Sequence, residues 1–137
     1  MIPILTLVIL MTSSMLANAG PSLPPCPAKP NCVSSQATDS HYIAPFKMAS
    51  DGAPAFVKLR ELLAQRSDTK IIAADDTVIR VEFRTFLGFV DDGLFVLDPA
   101  NGQILVRSAA RLGYWDLGKN RSRMEEIRRS FEMLPNQ

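Results

Sequence analysis

The chain opens on an apolar run from Ile2 to Met11, followed by Thr12-Ser13-Ser14 and by Ala17-Asn18-Ala19 before Gly20. A membrane-spanning helix needs roughly 20 apolar residues, so this shorter run ending in a small-x-small triplet predicts a secretory signal over residues 1–19, cleaved near Ala19. No Lys or Arg precedes the run, which makes an uncleaved membrane anchor the rival reading. Residues 20–50 show no regular period and read as a loop-rich segment. A helical period comes next, where Phe56, Leu59, Leu62 and Leu63 follow the capping sequence Ser50-Asp51-Gly52-Ala53-Pro54 and predict a helix over residues 54–66.

Then the period changes to two. Ile79, Val81 and Phe83 alternate with Arg80, Glu82 and Arg84, which predicts a half-buried strand. Further apolar runs lie at Lys70 to Ala74, Leu94 to Leu97 and Gln103 to Ser108. They are set apart by Asp75-Asp76, Asp91-Asp92-Gly93 and Asp98-Pro99-Ala100-Asn101-Gly102, all suited to hairpin turns. Leu87-Gly88 predicts a bend or bulge in the second strand. Met124, Ile127, Phe131 and Leu134 stripe a last helix over about residues 118–134. The expected architecture is α+β, a four-stranded antiparallel meander with two helices packed on one face. Residues 20–50 and 51–137 then form a single domain.

Composition narrows this picture without changing it. The 137 residues are 47% hydrophobic and 21% charged, a globular balance rather than a collagen-like or disordered one. With 15 basic against 14 acidic residues and a net charge of +1, nothing attracts the whole molecule to nucleic acid. No stretch after residue 19 approaches membrane length, so the mature chain is expected to lack a transmembrane segment and to be periplasmic or secreted. Cys26 and Cys32, the only cysteines, sit in Pro24-Pro25-Cys26-Pro27-Ala28-Lys29-Pro30-Asn31-Cys32. In an exported chain such an isolated pair reads as a structural disulfide. A zinc site would need ligands that a chain with one His does not readily supply. A lipoprotein is disfavoured, because Leu23-Pro24-Pro25 and not small residues precede Cys26.

Charge is unevenly spread. Between Arg107 and Arg129 stand Arg107, Arg111, Lys119, Arg121, Arg123, Arg128 and Arg129, against Asp116, Glu125 and Glu126. Asn120 falls at the centre of the last helix's apolar stripe, and a buried amide must find partners. Arg107, Arg111 and Asp116 are the expected suppliers. Two readings follow for Arg107, Arg111, Asp116, Asn120 and Arg121. In one, they hold a small anionic ligand or lipid headgroup near a helix start. In the other, Arg107 pairs with Asp116 while Asn120 bonds loop carbonyls and locks the helix to the sheet. Trp115, beside Tyr114, is expected to plug the edge of a small core, with a membrane-interface role as the alternative.

Signals for catalysis are thin. Ser34 or Ser35 with His41 and Asp39 supplies the residue types of a hydrolase, yet crowded together and without a nucleophile elbow. Asp91, Asp92, Asp98 and Asn101 are oxygen ligands, but hairpin turns use the same residues. No cofactor or metal is expected.

Four blocks in order carry a family resemblance: Asn31-Cys32-Val33-Ser34-Ser35, then His41-Tyr42-Ile43-x-Pro45, then Phe89-Val90-Asp91-Asp92. The last is Arg107-Ser108-Ala109-x-Arg111-x-Gly113-x-x-Asp116-Leu117-Gly118-x-Asn120-Arg121. They resemble the signature of the domain of unknown function 1499 family. The resemblance implies export in bacteria, lumenal or organellar versions in plants, and no catalytic residue to carry over. The expected function is a non-catalytic binding or envelope accessory module with an arginine-rich site for an anionic group. The alternative is a hydrolase acting through Ser34 or Ser35 and His41.

Overall fold

Residues 19–49 and 52–135 are described by a computed structural model. The signal reading therefore lies outside the described residues except for Ala19, and so does the helix cap at Ser50 and Asp51. The elements in chain order are β1 (Cys32–Ser34), β2 (Phe46–Lys47), α1 (Gly52–Ala64), β3 (Thr69–Ala74), β4 (Val78–Arg84), β5 (Val90–Asp98), β6 (Gln103–Ala110) and α2 (Lys119–Glu132). One antiparallel sheet runs in the order β1-β6-β5-β4-β3, with β2 also paired to β6. The protein is α+β, but among the described residues its sheet has six strands where four were expected. The segment read as loop supplies the two additional strands, both on the edge of β6. Strands of three and two residues are too short to display a period, and what holds them is pairing with a strand far along the chain.

A second correction concerns the turn between β4 and β5. Asp91-Asp92-Gly93 is not a turn but part of β5, and the chain reverses at residues 85–89 instead. There Thr85 N donates to the Phe89 carbonyl at 2.9 Å, and Gly88 takes a φ of 85°. Leu87-Gly88 thus belongs to the reversal itself, while the sheet's irregularity falls in β3 between Ile71 and Ala73. Long-range partners explain why turn-forming residues sit in a strand. Asp91 is 3% exposed and is met by Arg123, 2.9 Å away on α2. Gly93 gives room to its neighbour strand: a Cβ there would lie 2.5 Å from the Phe83 ring and 2.6 Å from Val81.

Alternation along the strands separates two faces. Phe46, Ile79, Val81, Phe83, Phe95, Ile104 and Val106 pack in one core with Phe56, Leu59 and Leu63 of α1 and Met124, Ile127 and Phe131 of α2. Both helices therefore cover the same face. The opposite face carries a smaller cluster, Leu94, Val96 and Leu105, under Leu23 of the N-terminal segment. Cys26 and Cys32 form the expected disulfide, which fastens that segment to β1.

Candidate functional site

The arginine-rich segment divides into three separate places. Asn120, fully buried, accepts from Ser108 Oγ at 2.5 Å and donates through Nδ2 to Asp116 at 2.7 Å and to the Asn31 carbonyl at 3.3 Å. This one amide ties α2 to β6 and to the N-terminal segment. Asp116 also accepts from the backbone amides of Gly118 and Asn120, each at 2.9 Å. Its carboxylate thereby occupies the place an external anion would take at the start of α2.

The arginines go elsewhere. Arg107 lies on the sheet face turned away from the helices, pairs with neither Asp116 nor Asn120, and donates to the Pro25 carbonyl at 3.1 Å. Burial holds its guanidinium below the ordinary arginine pKa, and its Nε has no partner among the described residues. Arg111, on that same outer side, donates to Asp92 at 2.6 and 3.2 Å and to Glu82 at 3.2 Å, contacts that raise its pKa. Arg121 donates to the carbonyls of Tyr42 and Ser40 at 2.8 and 2.9 Å, clamping α2 onto the chain leading to β2. Of the partners expected for Asn120, only Asp116 arrives.

The serine and histidine arrangement has similar internal uses. His41 Nδ1 meets Asp39 Oδ1 at 2.8 Å and Nε2 meets the Lys29 carbonyl at 2.9 Å. Both partners are acceptors, so both ring nitrogens donate and the imidazolium is favoured. The Lys29 carbonyl first, and Asp39 second, raise the His41 pKa. Meanwhile Ser34 Oγ accepts from the Gln36 amide at 3.2 Å and Ser35 Oγ from the Val106 amide at 2.9 Å. Neither hydroxyl faces a free imidazole nitrogen. Asp98 likewise serves Asn101 and Gln103, each at 2.9 Å.

The most distinctive surface was not among the predicted site residues. Where β4 turns into β5 and β6 leads into α2, the hairpin 85–89 and the loop 111–118 stand side by side around a cleft of about 410 Å³. Phe86, Leu87, Phe89, Leu112, Trp115 and Leu117 line it, with Asp91 and Ala110 beneath and Lys119, Ser122 and Asp116 along the α2 side. Phe86 is fully exposed, and Trp115, at 65% exposure, plugs no core edge. Leu117 adopts a φ of 58°, a left-handed conformation that costs a non-glycine residue about 1 kcal/mol, and still leaves its side chain outside. The available signal was large apolar residues inside glycine-marked turns, where polar ones are usual.

No curated protein and no solved structure matches this chain. The family described as Protein of unknown function (DUF1499) matches residues 22–131, a span that includes the disulfide, the whole sheet, the Asn120 network and both walls of the cleft. The chain belongs to the DUF1499 family.

Proposed function

We propose that this protein is a non-catalytic binding module of the cell envelope, exported by the signal at residues 1–19, which receives the apolar part of an amphiphilic molecule in the cleft between hairpin 85–89 and loop 111–118. The observation that carries this reading is the lining of that cleft by six large apolar side chains left in contact with water. A soluble fold gains by covering such surface at about 25 cal/mol per Å², so apolar side chains held outside by two loops favour an external occupant. The disulfide supports an oxidising compartment. His41, with both nitrogens engaged by Asp39 and Lys29, lends the hydrolase alternative no base.

An anionic group at Arg107, Arg111, Asp116, Asn120 and Arg121 has weaker support. Asp116 already caps α2, while Arg111 and Arg121 donate to internal acceptors. Lys119, in the cleft wall, is the better-placed cation for the polar end of an amphiphile.

The test is titration with anilinonaphthalene sulfonate, an apolar dye with an anionic end, read by energy transfer from Trp115, the single tryptophan. The folded protein is expected to bind the dye, and Phe89→Ser is expected to weaken binding about tenfold, the effect of roughly 1.4 kcal/mol of lost apolar contact. Absence of dye binding by the folded wild type, or equal binding by the variant, overturns the reading.

A further inference from the structure

We infer that the two loops dock on a lipid bilayer, with Phe86, Leu87 and Leu117 inserted among the acyl chains and Lys119 and Arg84 against anionic headgroups. The inference rests on the cleft being a binding surface and names what it meets. A small ligand inside the cleft would cover only inward-facing surface. Yet Phe86 is 101% exposed, and Leu87 and Leu117 are each 77% exposed, so most of their area meets water although they border the cleft. The acyl region of a bilayer, a continuous apolar medium, covers such crests from outside. Tyr114 and Trp115, exposed on the same loop, have the amphipathic rings that settle at a membrane interface.

Charge points the same way. The carboxylates near this end already have partners in the protein: Asp91 has Arg123, Asp92 and Glu82 share Arg111 with Arg107 also acting on Asp92, and Asp116 accepts from the α2 amides. Lys119, in the cleft wall, and Arg84, immediately before the hairpin, have no carboxylate partner among the described residues. The rim thus presents apolar crests beside unneutralised cations, complementary to an anionic leaflet, where each basic residue near the surface adds to attraction that salt screens.

The experiment follows Trp115 emission in the full chain as vesicles of phosphatidylcholine, with or without phosphatidylglycerol, are added. Reading this tryptophan reports on the loops themselves, whatever the N-terminal segment does. The expected result is a blue shift, quenching by lipids brominated on their acyl chains, and stronger partitioning with phosphatidylglycerol that weakens as salt rises. Phe86→Ser combined with Leu87→Ser is expected to reduce the partitioning reported by Trp115 at least tenfold with an unchanged melting temperature. A Trp115 that stays solvent-exposed at saturating lipid, or a double variant that partitions as wild type does, overturns the inference. So does a blue-shifted Trp115 in a lipid-free dimer, which would assign the rim to a second copy. Dye binding without vesicle binding would sink the bilayer inference alone, whereas failure of both removes the cleft reading as well.

Discussion

Replacing Asn120 by leucine would strand Ser108 Oγ in the interior, leave the Asn31 carbonyl with the Ala110 amide alone, and remove the amide that Asp116 steadies. A buried polar group left unpaired costs about 1–3 kcal/mol, so Asn120→Leu, which leaves Ser108 Oγ alone, is expected to lower unfolding free energy by about 2 kcal/mol, measured by denaturant titration. An unchanged midpoint would show that the network carries no stability. His41 makes a prediction in pH. Its folded pKa is raised by the Lys29 carbonyl and by Asp39 above an unfolded value near 6.5. The contribution to stability is therefore fully present below about pH 6.5 and lost as pH rises through the higher folded value. Denaturant midpoints taken between about pH 6 and 9 should fall for the wild type more than for His41→Gln, and parallel profiles would refute the assignment. Burial of Asn120 was legible because helical spacing places it on the apolar stripe. Its partner in the N-terminal segment was not, since Asn31 lies 89 residues away.

Element-scale behaviour centres on the join between β5 and α2. Asp91 and Arg123, 4% and 2% exposed in their side chains, form an ion pair within the core. Removing Asp91 leaves the buried Arg123 charge with only Asp68, 3.9 Å away, at a cost of about 3 kcal/mol, so Asp91→Ala should be strongly destabilising. Asp91→Leu together with Arg123→Met should recover most of that loss in the same unfolding assay. If the double variant is as unstable as the single one, the stranded charge is not the cause. This join also shows why β4 could be read and the beginning of β5 could not. Ile79, Val81 and Phe83 announce β4 by local alternation. Asp91-Asp92-Gly93 has the chemistry of a turn until Arg123, 32 residues on, neutralises Asp91 and the Phe83 ring claims the space above Gly93. The cleft leaves no local signature for the same reason, since each of its two loops carries half of the apolar lining.

At the scale of the whole molecule, the N-terminal segment is the part of the fold with least local means of holding its shape. Prolines deny it ladder hydrogen bonds, and it is kept in place by the disulfide, by two short strands on β6 and by side chains reaching from elsewhere. Closing the short Cys26–Cys32 loop is worth about 2 kcal/mol in the chain-entropy model. Cys26→Ser with Cys32→Ser should therefore lower the melting temperature by roughly 8 °C, as should reductant on the wild type. A melting temperature insensitive to both would exclude the disulfide as a stabilising staple. What the sequence determined on its own was whatever depends on near neighbours: the two amphipathic helices, the alternating strand, the pairing of the only two cysteines and the burial of Asn120. Only the tertiary structure decided which arginine meets which acceptor, that the loop-rich segment completes the sheet, and that two apolar loops share one cleft. Those outcomes rest on contacts between residues tens of positions apart, and the period of a short window carries no record of them.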